Sequence, residues 1–372
     1  MSYTFSPGTL ICKIEAWCSS RVSGWRKLFQ MLLVVLLLPA FGCVSQTAQT
    51  KPGEETPSQT TTIRVGLQNL ASDAAVFIGK AKGYFREQGL EVEIVPFANA
   101  SEMIPALATG QVDVAGIAAN AATFNAVARD VTIKIVADKG SSPPGSGFQA
   151  LSIRKDLANQ INDFKDLRGM TIAVTPPPDS TANAVDIDKA LQRGGLTTKD
   201  VKIVSLGFAD MNAAFANRSI DAAILNEPFV AAAQERGLAV RWKGVDEIYP
   251  SHQYGTIAYS PNLVKDKPTV AKRFMVAYIK AARDYNDAFH KDKEKEQIIS
   301  VLTANTKIKD SKTFDKMVPA GINPNGYVNA DSIAEDQEWY FARGTVKKKV
   351  DLKTLIDNQY VDYAIQRLGK YK

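Results

Sequence analysis

The 372 residues are 45% hydrophobic and 23% charged, an ordinary globular composition and enough chain for two lobes with a sizeable core. The formal net charge of +6 is spread along the chain, and its densest basic run, Lys347-Lys348-Lys349, reads as a solvated turn, so the basic patch with interleaved aromatics that a nucleic-acid surface needs is missing. The three cysteines, Cys12, Cys18 and Cys43, all precede the body, and the histidines are His252 and His290; this excludes a disulfide framework, a thiolate metal site and a cysteine nucleophile from the body, and leaves imidazole metal sites or Ser-His-Asp chemistry few candidates.

Arg21, Arg26 and Lys27 precede the apolar run from Met31 to Leu38, and small residues follow it. That pattern predicts a secretory signal over residues 1–42, too short in its apolar part for a permanent membrane span. Gly42 before Cys43 resembles a bacterial lipobox, in which the cysteine is acylated and becomes the first mature residue. Ala40 stands where such motifs usually carry Leu, and an ordinary cleaved signal is the other reading. Residues 1–21 do not suit a signal, and a start at Val22 would give a conventional leader. Residues 43–62, rich in Gln, Thr, Ser, Pro and Glu, bury too little to fold and read as a tether.

The body opens with a predicted strand, Ile63 to Leu67, a polar turn from Gln68 to Asp73, and a helix ending at Gly83. A second strand covers Val92 to Val95. Pro105 is tolerable only in a first helical turn, so the next helix is expected to begin late, near Met103. Strands follow at 112–116, 132–136 and 150–154, with a loop at 141–147. A new strand spans Met170 to Val174, and Ser180 or Thr181 is placed to cap a helix that Gly194-Gly195 ends. Asp210 reads as another cap. The chain is expected to return to its first lobe near Tyr254, then form a long amphipathic helix from Val270 to Phe289 and a final one from Leu355 to Leu368.

A shift of 108 positions lays Met211–Ala223 on Met103–Ala115 without a gap. Ser72 falls on Ser180, and Val201–Val204 falls on Val92–Val95 after a one-residue insertion. So long a period signals a duplicated half, not a solenoid. The fold expected is α/β and two-lobed: each lobe a mostly parallel sheet flanked by helices, with 63–150 plus 258–372 forming lobe 1, 151–257 forming lobe 2, and a two-strand hinge between.

Both copies end their first strand in a polar turn and their third in a short loop. If the lobes face each other, four loops meet at a cleft, beside helix N-termini. The candidate ligand-binding residues are therefore Gln68, Asn69, Ser72 and Asp73; Ala118 and Asn120; Asp179, Ser180 and Thr181; Asn226 and Glu227; and Tyr254. Their hydroxyls, amides and N–H groups suit an oxyanion, whereas Asp179 and Glu227, if they face ligand, favour an amine or ring N–H. Phe148, Phe208 and Tyr254 are placed to stack on a flat molecule. The four loops hold no basic cluster, which favours an organic ligand over nitrate or bicarbonate. No catalytic group, metal or cofactor is expected.

Several stretches together resemble the substrate-binding proteins of ABC importers of the nitrate/sulfonate/taurine type, a group that also includes thiamine-pyrimidine and riboflavin binders. They are Gly83–Val92, Ala106–Val114, Asp166–Gly169, Ser219–Ala223 and Glu227–Phe229. The resemblance runs from about Thr62 to the C-terminus and rests on order and spacing. It implies a periplasmic-binding-protein-like fold of type II, a small sulfonate-like or heterocyclic ligand trapped by lobe closure, and delivery to a permease with its ATPase subunit. It also implies a monomer held at the extracytoplasmic face of the cell membrane, here through Cys43. Some relatives synthesise the thiamine pyrimidine with a cysteine-rich motif, and the body after Cys43 has no cysteine. A periplasmic sensor is the remaining alternative.

Overall fold

The computed structural model describes residues 60–372; the leader, Cys43 and most of the tether lie outside the described residues. Alternating apolar positions make β1 (Thr61–Leu67), which buries Ile63, Val65 and Leu67. A 3-10 turn, Ala71–Asp73, leads into α1 (Ala74–Ala81) and the single turn α2 (Tyr84–Glu87). Next come β2 (Leu90–Pro96), α3 (Ala100–Ala108), β3 (Val114–Ile117), α4 (Ala121–Val127) and β4 (Lys134–Ser142). The chain crosses at 143–148 and lays down β5 (Gln149–Arg154), β6 (Thr171–Val174), α5 (Ala182–Arg193), β7 (Lys202–Ser205) and α6 (Phe208–Ala216). The same lobe is completed by β8 (Ala222–Asn226), α7 (Phe229–Glu235), β9 (Ala239–Gly244) and α8 (Val245–Ile248). The return strand is β10 (His252–Tyr259). After it come α9 (Pro261–Asp266), α10 (Pro268–Lys291), α11 (Lys295–Asn305), α12 (Ala330–Ala342), α13 (Leu352–Leu355) and α14 (Gln359–Leu368). Among the described residues no helix is long and apolar enough to cross a membrane.

The two sheets share one plan. Their strand orders are β2-β1-β3-β10-β4 and β7-β6-β8-β5-β9. In each, three strands run parallel and the fourth position is antiparallel to both neighbours, so the sheets are mixed. The antiparallel strand is in both cases the one that has just crossed from the other lobe. The repeat survives in register: Val65 lies between Ile94 and Val114, and Ile172 between Ile203 and Ala222. The 108-residue shift carries α3 end for end onto α6.

Local chemistry overrides several sequence expectations. Helix α3 starts at Ala100, ahead of Pro105, because Asn99 caps it: its Oδ1 accepts from the Glu102 N–H at 3.1 Å. Thr181 occupies the N-cap of α5 but makes no side-chain cap bond; its hydroxyl donates back to the Thr175 carbonyl at 3.4 Å. Asp210 lies inside the first turn of α6, which begins after Gly207. The final helical pattern breaks at Ile356, which bridges to Ile135 of β4 and separates α13 from α14.

Helix α10 buries an aromatic and aliphatic face against α1 and β10, with Phe274 packed on Phe85 at 4.9 Å and on Tyr259 at 5.9 Å. The second core gathers Ile172, Val174 and Leu191 with Ile333, Trp339 and Tyr340 of α12. Helix α12 thus packs on both sides, entering this second core and also meeting α4 through Phe124 and Tyr340 at 6.2 Å. At the end of the return crossing, His252 is fully buried between two carboxylates, Nδ1 2.7 Å from Asp186 of α5 and Nε2 2.9 Å from Asp336 of α12. Burial alone would lower its pKa; the two carboxylates outweigh this and push it up to about 10.

Candidate functional site

A cavity of about 550 Å³ opens between the sheets' facing loops, with wall residues from both lobes. Gln68, Ser72, Ala118, Asn120, Thr181, Asn226 and Tyr254, all singled out from the sequence, lie on this wall. Asn69, Asp73, Asp179, Ser180 and Glu227 do not. Asn69 sits at φ +58° with its Oδ1 buried and unpartnered. Asp179 is exposed and accepts from the Ser180 hydroxyl at 3.2 Å, in a loop longer than its counterpart in the first copy. That added length puts Ser180 ahead of its helix, so Asn183, second residue of α5, holds the place that Ser72 holds in the Ala71–Asp73 turn. Glu227 is turned inward. Its carboxylate accepts from the Ala231 N–H at 3.0 Å and the Val318 N–H at 3.3 Å, and burial pushes its pKa up to about 7.

Two wall residues owe their position to paired β-bulges. Asp138 pairs with Thr256 and Gly140 with Gly255, leaving Lys139 as an extra residue of β4; Gln253 pairs with Ser141, leaving Tyr254 as an extra residue of β10. A bulge redirects its extra side chain, and here both line the cavity. The Gly140 N–H at the bulge is taken by Asp138 Oδ1 at 3.1 Å. Glycines make the room: a Cβ on Gly116 would stand 2.9 Å from Lys139 Cδ, and one on Gly140 2.6 Å from the Tyr254 ring. Lys139 Nζ reaches Asp73 Oδ1 at 2.6 Å and Ser72 Oγ at 3.0 Å. Tyr254 stacks on Phe148 at 5.9 Å.

The lobe 2 wall is built differently. Neither α5 nor α6 has a side-chain cap, since Thr181 turns away and the α6 N-cap is Gly207; both N-termini lie on the cavity. In lobe 1, Asn99 and Asn120 cap α3 and α4 themselves. Phe208 and Phe229 stack at 5.7 Å and form the apolar flank. Gln149 Nε2 donates to Asn226 Oδ1 at 2.7 Å across the β5–β8 pair. Three buried polar atoms of wall residues lack a protein partner: Tyr254 Oη, Asn183 Nδ2 and Gln149 Oε1. Sequence reasoning missed Lys139, Gln149, Asn183 and Phe229. Only Asn183 had a usable signal, its position in the first turn of a helix facing the predicted cleft.

Residues 71–288 match the family described as NMT1/THI5 like. A chain of Bacillus subtilis (strain 168) named for binding aliphatic sulfonates is 24% identical over 347 residues, 91% of this chain and 96% of its own. Among solved structures, the periplasmic aliphatic sulphonate binding protein SsuA from Escherichia coli superposes with a TM-score of 0.64 at 20% identity, covering 81% of this chain and 93% of its own. The periplasmic nitrate-binding protein NrtA from Synechocystis PCC 6803 gives 0.65 at 17% identity, covering 83% and 89%.

Proposed function

This chain belongs to the NMT1/THI5-like family, and from that premise we propose that it is the extracytoplasmic solute-binding subunit of an ABC importer. It holds a small organic molecule between its lobes, without catalysis, and delivers it to a permease and its ATPase. One observation carries the reading: a cavity walled by both lobes gathers the uncapped N-termini of α5 and α6, whose free N–H groups a helix otherwise satisfies through caps, water or a ligand. The sulfonate-binding and nitrate-binding names among the relatives support the class. An acylated Cys43 would hold this monomer at the membrane, and Cys43→Ala would then release it to the soluble extracytoplasmic fraction.

The direct test is thermal unfolding of the full-length protein, solubilised in mild detergent, against sulfonates, taurine, nitrate, bicarbonate, pyrimidines and flavins. A ligand at a hundred times its dissociation constant stabilises by about 2.7 kcal/mol, a rise of about 2–4 °C for a protein of this size. At least one organic member is expected to produce it. Absence of a shift with every member, together with no small molecule released when the protein is denatured from its host, would defeat the reading.

A further inference from the structure

Helix α12 touches both lobes. One apolar cluster runs from Phe124 of α4 and Ile135 of β4, through Ile333 and Tyr340 of α12, to Ile172 and Leu191 of lobe 2. On the lobe 1 side, Asn125 of α4 fastens the chain just after α12: its Nδ2 donates to the Thr345 carbonyl at 2.7 Å, and its Oδ1 accepts from the Lys347 N–H at 3.2 Å. On the lobe 2 side, Asp188 of α5 accepts from Trp339 Nε1 at 2.9 Å and from Arg343 Nη2 at 2.6 Å, and Lys189 pairs with Glu335. His252, first residue of β10, joins the same two helices through Asp186 of α5 and Asp336 of α12. Helices α4 and α5 both begin on the cavity, at Asn120 and at Thr181. Resting on the importer reading above, we infer that α12 is a strut between the lobes and that His252 is its pin: a positioning residue that fixes the wall helix α5 against α12, and so sets lobe spacing, without touching the cavity.

An imidazole suits this place. Its two nitrogens sit at a fixed separation in one rigid plane, and both donate when the ring is charged. Pairing both carboxylates therefore fixes the distance between α5 and α12 as well as attracting them. The three side chains are buried, where charges are screened little, and the carboxylates keep the ring charged against its burial. The groups around the ring tie the same helices. Tyr249 stacks on it at 4.5 Å, and the Tyr249 hydroxyl donates to Glu335 Oε2 at 2.9 Å. Asp186 stands one turn after the wall residue Asn183 on α5, so the pin acts one turn from the cavity. Before it, Ser251 holds φ +60°, a left-handed conformation that a residue with a side chain keeps where its surroundings impose it. Domain closure rotates a few residues where the chain crosses between lobes. A crossing whose last residue is held by both α5 and α12 is a restrained hinge, not a free one.

The test measures lobe spacing without any ligand. All three cysteines precede the body, so labels can be placed freely within it. Pro105 of α3 and Ala213 of α6 are exposed, repeat-related positions, one in each lobe. Double electron–electron resonance reads their separation in the full-length chain carrying Cys12→Ser, Cys18→Ser, Cys43→Ser, Pro105→Cys and Ala213→Cys. This parent is expected to show one narrow distance distribution. His252→Leu keeps the volume and removes the pin; it is expected to lengthen the mean and broaden the distribution about twofold. Should that variant fail to fold, His252→Leu/Asp186→Asn/Asp336→Asn leaves no bare buried carboxylate and is expected to broaden it equally. Phe274→Ala, in the lobe 1 core outside the α12 cluster, is expected to leave the parent distribution unchanged. A folded pin variant with the parent distribution, a parent as broad as its variants, or equal broadening by Phe274→Ala would each overturn the inference. A restored distribution in the triple variant beside a broadened His252→Leu would do so too, since His252 would then only neutralise its neighbours. The importer reading fails on separate grounds, the ligand panel, and its failure would leave these distances as they are.

Discussion

The two lobes share strand order, register and a helix-for-helix correspondence, yet they face the cavity with different chemistry. Lobe 1 caps α3 and α4 through Asn99 and Asn120, leaves α1 without a side-chain cap, and pushes Lys139 and Tyr254 forward on bulges. Lobe 2 leaves the N-termini of α5 and α6 without side-chain caps and supplies amides and stacked phenyl rings. The difference teaches that a duplicated scaffold fixes where a site lies, while caps, bulges and loop length decide what it binds. The clearest case is α3, capped by Asn99, against its repeat partner α6, which begins after Gly207 with no side-chain cap.

The sharpest test of the shared scaffold is in the cores. Phe274→Ala in lobe 1 is expected to cost about 3–5 kcal/mol and Leu191→Ala in lobe 2 about 2–5 kcal/mol. Because α12 packs into the second core and also meets α4 and the His252 clamp, both losses should appear in one cooperative denaturant transition. Two separate transitions, each moved by one substitution, would break the picture of lobes tied through α12.

Titration probes the links between the lobes next. The buried Glu227 carboxyl is raised from 4.5 to about 7, so its ionisation costs stability. Wild type should lose stability relative to Glu227→Gln as pH rises from about 4.5 through 7. His252 has the opposite charge type and the same slope. Its pKa rises from 6.5 to about 10, so the clamp's contribution is full below 6.5 and is lost as pH climbs toward 10. In wild type against His252→Gln, urea midpoints measured from pH 5 to 10 should converge above neutrality; parallel curves would show that the clamp is not charged.

The smallest contrast concerns caps. Asn99→Ala should cost about 1 kcal/mol, the usual price of a lost N-cap, whereas Thr181→Ala, which breaks no cap bond, should change unliganded stability by only a few tenths. Equal losses at the two positions would remove the distinction between self-satisfied and open helix ends.

Much of the scaffold was legible beforehand, because hydrophobic periodicity and a gap-free internal repeat are properties of the chain itself. The repeat placed β3 against β8 and α3 against α6, and polar turns after first strands located Gln68, Ser72, Thr181 and the cleft. The one-residue insertion before Val201 anticipated the pairing of Ile203 where Ile94 stands. Composition also kept every cysteine ahead of the body and left His252 and His290 as the only imidazoles.

What only the tertiary structure decided are matters of direction. Asp179 and Glu227 both follow strands in the second copy, yet one points to solvent and the other into the protein toward Val318, ninety-one positions away. Lys139 carries no signal in the sequence, and Tyr254, although singled out there, reaches the wall through the same device: two opposed bulges rotate both side chains onto it, a register shift that needs both strands side by side. The pairing of Lys139 with Asp73, and of His252 with Asp186 and Asp336, joins residues more than sixty positions apart. Periodicity is local and survives in one dimension; the partner of a buried charge is fixed only once distant elements are packed against it.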